Sequence, residues 1–384
     1  SSHHSQQKSP NCSTWAHTEK SIMTGDIYVS TTGNDSNLGT IESPFLSIDR
    51  ALQEVASMDK STCSQIVICI ESGLYNVNHI DMQSIHGGNY NCEVIFCSYG
   101  EGDTILNAGI ELSSNDFIQV SNYPSLSNRI KDNIKDNIYV LDLKSAPYNL
   151  TSSDWGNIYP IGTYNTAGRY NGNNTGPMYS ELFIDNQRQT LARFPNAGYI
   201  KTGQVIQLGR ESANQSNGEP AFDIYKVDNA LASRIDTWQN LNDVWMYGFW
   251  QYDWADGSTP IHTFDSENNY LTASYQSFFG AKEGADYFFY NCLEELDIAG
   301  EWFLDRENGL VCIYKPINFE NSFINLSISQ SSVISINSNH ITLKDITLMG
   351  SRGNGIEISG NYNKIENCKI LDIGGHAVII NGTH

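Results

Sequence analysis

Three side chains near the C-terminal part of the sequence could do acid–base chemistry: Glu357, Asp372 and His376. Glu357 lies between Ile356 and Ile358, so in a strand with both isoleucines inward it points outward. Ser335 and Ile379 hold the matching positions one period away, which leaves it no acidic neighbour and favours a surface or insertion-contacting role. Asp372 and His376 flank Gly374-Gly375, and Arg352 and Asn354 occupy the matching loop one period earlier. This polar cluster could line a groove, although Asp and Gly are also what a turn demands. Outward acids on neighbouring strands, about 4.8 Å apart, suit glycoside hydrolysis, which takes two carboxyls about 5–5.5 Å apart for retention or about 6.5–9.5 Å for inversion.

A second set is aromatic. Trp245, Trp250, Tyr252 and Trp254 alternate with Asp253 and Asp256. Sugar rings stack on exposed aromatics while acids take the hydroxyls, so Trp250, Tyr252 and Trp254, with Arg352, are candidate substrate-binding residues. A buried strand would show the same pattern. Asp305-Arg306-Glu307 before Asn308-Gly309 reads as a hairpin turn. The histidines are scattered and show no metal-ligand spacing, so neither a metal site nor a cofactor is expected.

Eight cysteines are sparse for a disulfide scaffold, but Cys63 and Cys92 each precede an apolar strand, and Cys292 and Cys312 bracket a strand–turn–strand pattern. Bridges Cys63–Cys92 and Cys292–Cys312 are expected, with buried thiols as the alternative; bridges would indicate an oxidising compartment. Seven Asn-x-Ser/Thr sites, at Asn11, Asn34, Asn149, Asn173, Asn214, Asn325 and Asn381, are about what chance places. Asn149, Asn173, Asn214 and Asn325 are glycosylation candidates only in a eukaryotic secretory pathway.

The elements that position these residues are legible in a repeat. Shifting the C-terminal segment by 22 residues aligns Ile334 with Ile356 and Val378, and Ile336 with Ile358 and Ile380. The same shift aligns Leu343 with Ile365, Ile346 with Cys368, and Leu348 with Ile370. A unit this short holds two or three strands and no helix, which predicts an all-β fold, a right-handed parallel β-helix whose coils stack their inward side chains. Cys368 is then a small core residue, and Asn363, in the column of Ile341, could ladder with an asparagine of the next coil. Ile48, Leu52, Val55 and Met58 recur at helical spacing and predict an N-terminal cap helix. The expected organisation is a flexible terminus (1–25), a cap with the first coils (26–116), a β-rich inserted domain (117–325) packed on the solenoid's side, and further coils (326–384) that stop partway through a turn. Val378 and Ile380 would leave an apolar layer to be covered by more coils, by end-to-end self-association or by a partner.

A net charge of −21 with only 22 Lys and Arg excludes a phosphate-binding surface, so nucleic acid is not an expected partner. Polyanionic sugars are disfavoured for the same reason, and neutral polysaccharide or glycan fits better. The longest aliphatic run, Ile66 to Ile70, is far short of the roughly 20 residues of a membrane span. The N-terminus lacks a signal pattern and reads as a mature terminus left by signal removal, or as an artificial one.

Several motifs carry a family resemblance. IYVSTTGNDSNLGTIESPFLSIDRAL resembles the N-terminal signature of secreted β-helix carbohydrate-active proteins. ELFIDNQRQTLARFPNAGYI, VWMYGFWQYDWADGSTPI and DYFFYNCLEELDIAGEWFLDRENGLVCIYKP follow in the order seen in proteins similar to glycoside hydrolase family 141, a group with α-L-fucosidase and xylanase activities. The resemblance implies a secreted or extracellular protein (periplasmic or cell-surface in a bacterium) that hydrolyses glycans through a carboxylate pair in coils beyond residue 384. The alternatives are a non-catalytic, filament-forming extracellular glycoprotein and, more remotely, a polysaccharide lyase, which needs basic residues that are scarce near the repeat.

Overall fold

The computed structural model describes residue 20 and residues 23–156, 161–164, 178–209 and 222–382. The terminus expected to be flexible lies outside these apart from Lys20 and residues 23–25. The fold is mostly β and forms two compact units. One comprises Ser1–Ser113, Pro177–Arg188 and Ser322–His384, the other Ser114–Gly176 and Gln189–Asn321. The first therefore takes in a segment that the sequence reading assigned to the inserted domain.

In the first unit, strands stack in parallel and in register. Ile80, Ile334, Ile356 and Val378 occupy successive rows, as do Met82, Ile336, Ile358 and Ile380. A second column runs through Ile27, Ile68, Phe96, Leu343 and Ile365. The strand Glu93–Asn107 pairs directly with Ile341–Lys344 and Ile346–Met349, so the residues between leave the stack after one row and rejoin it at the next. The inward members Ile334, Ile336, Leu343 and Ile356 are fully buried in one apolar cluster. Each such side chain contributes about 1.5–3 kcal/mol by leaving water.

The corners repeat too. His340 and Tyr362, Asp345 and Asn367, and Gly350 and Asp372 each sit one period apart, and all have positive φ. Left-handed backbone suits Gly, Asn and Asp, which hold four of these six corners, whereas the stack imposes it on His340 and Tyr362. The Asn363 side chain accepts from Ile341 N–H and donates to the Ser338 carbonyl. Cys368 is half-buried and packs against the core cluster.

The helix Ile48–Ser57 buries Ile48, Ala51, Leu52 and Val55 in the same cluster. Ser47 caps it by accepting from Arg50 N–H, and Asp35 accepts from the Leu46 and Ser47 N–H groups and the Ser47 hydroxyl. Met58 falls just past its end. Cys63 and Cys92 are disulfide-bonded, with Cα atoms 5.4 Å apart. Where the chain departs and returns, Asn107 and Asn325 are fully buried and exchange two amide hydrogen bonds of 3.0 and 2.9 Å. A Cβ on Gly109 or Gly350 would come within 2.5 Å of one of these amides, so both positions need glycine. Burial of Asn325 rules out a glycan on the folded chain. Asn34, Asn149 and Asn381 are exposed, whereas Asn11, Asn173 and Asn214 lie outside the described residues.

The second unit is largely antiparallel. One sheet orders Thr190–Leu191, Glu301–Asp305, Leu310–Tyr314, Ile138–Asp142 and Ile118–Gln119. The other is built around Trp245–Gly248, flanked by Asp286–Tyr290 and Gly257–Asp265. The hairpin turn at Asp305–Gly309 is present: Asp305 accepts from Glu307 N–H and Asn308 N–H, and Gly309 has φ +65°. The expected Cys292–Cys312 bridge is absent. Both thiols are free and buried, because Cys292 packs with Trp238 and Phe289 while Cys312 packs with Ile138 and Val140 in a different cluster.

Ile356→Ala is expected to lower unfolding stability by about 2–5 kcal/mol. The exposed control Ile85→Ala should change it by less than about 0.5 kcal/mol. Urea titration followed by circular dichroism measures both; equal effects would refute a core built on the stacked columns.

Candidate functional site

Asp372 occupies a corner that the preceding coil gives to Gly350, and its carbonyl accepts from Gly350 N–H at 2.9 Å. Its side chain faces a charged pair on a separate hairpin, Leu182–Ile184 with Gln187–Arg188. Asp185 and Asn186 form that hairpin's two-residue turn, both at positive φ as a type I′ turn requires. The turn sets Arg188 opposite Phe183, on the face that also carries Glu181. Arg188 donates from Nε and Nη2 to the two carboxylate oxygens of Glu181 at 2.8 and 3.5 Å, and from Nη2 to the Ile373 carbonyl at 3.2 Å.

Glu181 is buried, whereas the Arg188 side chain is 55% exposed. Burial raises the Glu181 carboxyl against the pull of Arg188. Burial also pushes Asp372 up to about 7; Arg188 pulls it down and Glu181 pushes it further up. The Asp372 Oδ2 atom is shut off from solvent with no partner among the described residues. Burial, reinforced by Glu181 and opposed by Arg188, thus favours the protonated form of Asp372 up to about neutral pH.

The other candidates separate. Glu357 takes the outward place between Ser335 and Ile379, and its Oε1 accepts from the Asn354 side chain at 2.7 Å. Asn354 also accepts from the backbone N–H of His376, whose residue is exposed. Arg352 lines no open groove. It is fully buried and donates from Nε to the Met178 carbonyl at 2.8 Å, because residues 178–188 return to this coil. Among the described residues no cluster of His, Cys, Asp and Glu is arranged to hold a metal ion.

In the second unit the aromatic run divides. Trp250 is core, not a substrate platform: it is buried, donates from Nε1 to the Gly257 carbonyl at 3.0 Å, and stacks on Tyr225. Tyr252 and Trp254 follow it out of the sheet and are 44% and 60% exposed. Their rings are parallel to within 7°, with centroids 5.5 Å apart. The buried acids of this unit are otherwise engaged. Arg129 pairs with Glu294 and Arg234 with Glu295, while Glu301, pushed up to about 8 by burial, accepts from Arg193 N–H.

Glu181 and Arg188 were not found from sequence. The Asp185-Asn186 turn was their one local signal, and nothing in the sequence ties that hairpin to a corner almost two hundred residues later.

No protein-family model and no curated protein matches this chain. Among solved structures, a glycoside hydrolase superposes with a TM-score of 0.64 at 14% identity, covering 92% of this chain and 63% of that one. This is a likeness of fold, and the chain spans less than two thirds of that enzyme's length. A complex of XylC with xylose, 12% identical over 88% of this chain and 40% of that one, has a TM-score of 0.38, too low to support any argument.

Folding raises Asp372 from an ordinary value of about 3.9 to about 7, so between these the folded chain binds the extra proton. Its contribution to stability is complete below pH of about 4 and is lost as pH rises toward 7. Asp372→Asn, always neutral and tolerant of left-handed backbone, should melt higher than wild type at pH 8 and almost equally at pH 4. Calorimetry at the two pH values tests this; an offset that does not change with pH would contradict a buried proton at Asp372.

Proposed function

We propose that this protein is a secreted glycan-acting enzyme, a glycoside hydrolase on a right-handed parallel β-helix resembling family 141. The in-register parallel rows support that architecture, and right-handed crossover is the near-universal hand for parallel strands. The Cys63–Cys92 bridge supports an oxidising, extracellular setting.

The observation that carries the catalytic reading is the placement of Asp372 beside the Arg188–Glu181 pair, where burial favours its protonated form up to about neutral pH. In the proposed mechanism Asp372 donates its proton to the departing glycosidic oxygen. Arg188 then stabilises the carboxylate left behind, and Glu181 keeps the guanidinium in place. The Asn354 side chain joins the Glu357 carboxylate to the His376 backbone N–H, and Glu357 and His376 are proposed to bind sugar hydroxyls. Glycoside hydrolysis also takes a second carboxyl, as nucleophile or base. Neutral or fucosylated glycans are the substrate class, since a strongly acidic chain repels uronates.

The full-length protein should release reducing ends from xylan or free fucose from α-L-fucosides. Asp372→Asn should lower the rate by about a hundredfold or more and abolish the alkaline limb of the pH profile. Wild-type rates in that variant would refute the acid role, and unsaturated uronate ends would make the protein a lyase.

A further inference from the structure

We propose that the second unit carries a stacking site for neutral glycans, formed by Tyr252 and Trp254. The sheet does not need these rings. Trp238, Trp245, Trp250, Tyr225, Tyr287, Phe289 and Tyr290 are buried aromatics of this region. Trp250 and Ala255, both buried, anchor the two ends of the segment, and Ala255 N–H closes it as a turn on the Tyr252 carbonyl at 3.0 Å. Phe279 stands edge-on to both rings at 5.7 and 5.2 Å, and Tyr164 stands edge-on to Trp254 at 5.4 Å. The pair is thereby held out from the surface by a rigid base, and each ring is larger and more exposed than solubility favours. A platform fixed in this way binds without first losing side-chain freedom.

The surrounding charge selects the occupant. The Asp253 side chain is 97% exposed, with Lys282 Nζ 3.8 Å away, and Glu283 is exposed. Both oxygens of Asp256 are already taken, by Tyr247 O–H and Thr163 N–H. The patch is net negative on a chain of charge −21, so a polyuronate, a nucleic acid or an anionic lipid surface is repelled. A neutral sugar is not: its C–H face lies on the outer face of the stacked pair while its hydroxyls reach Asp253 and Lys282. This inference extends the glycan reading to a second surface and does not depend on Asp372.

The test is electrophoresis of the full-length protein through native gels containing neutral arabinoxylan, with a polygalacturonate gel as the charged comparison. Wild type should be retarded in arabinoxylan alone. Trp254→Ala and Tyr252→Ala should each weaken retention fivefold or more, and Trp254→Phe, which keeps a flat ring, should restore part of it. Circular dichroism establishes that the variants fold. An inactive protein that is still retained leaves this site standing while the hydrolase reading falls, and an active protein without retention does the reverse. Retention unchanged in Trp254→Ala, no retention of wild type, or self-association that the substitution abolishes would each overturn the proposal.

Discussion

The first unit depends on one constraint: aliphatic side chains of successive parallel strands must lie directly above one another. Backbone hydrogen bonding fixes the spacing, and the apolar columns through Ile334, Ile356 and Leu343 then exclude water only if every coil keeps the same register. A slip of one residue would turn each strand's inward set outward. The rule holds even across the long excursion, since Phe96 and Leu343 are neighbours in a column although far apart in the chain.

Keeping the register fixes the corners as well. Because positive φ recurs at His340, Asp345 and Gly350 and again one coil later, the stack holds left-handed backbone at each corner even where His340 and Tyr362 stand. The side chain is therefore free to vary. That freedom lets Asp372 stand where the earlier coil has glycine, beside Arg188 and Glu181. A titratable group at a corner changes no column, so chemistry can be added at the edge of the stack without disturbing its interior.

Much of this was legible in the sequence. The 22-residue step located Ile334, Ile356 and Val378 in adjacent rows, the helical spacing located Ile48–Ser57, and the Asp305–Gly309 turn was plain from its residue types. Local patterns failed where burial is decided by distant chain. Trp250 and Trp254 look alike in the alternation, yet a turn after Trp250 leaves one inside and the other in water. Arg352 looked like a loop cation until the Met178 carbonyl arrived to bury it. Cys292 and Cys312 are close in sequence but face separate apolar layers, which periodicity alone does not reveal.

The paired amides of Asn107 and Asn325 have a consequence for biosynthesis. Asn325-Leu326-Ser327 is an oligosaccharide acceptor sequence, and the nitrogen that would be modified is the one bonded to Asn107. In a compartment that contains the transferase, closure of the returning strand and attachment of sugar compete for a single atom. A chain that is modified first could not seat that strand, so the order of two early events would decide whether a given molecule matures or is discarded.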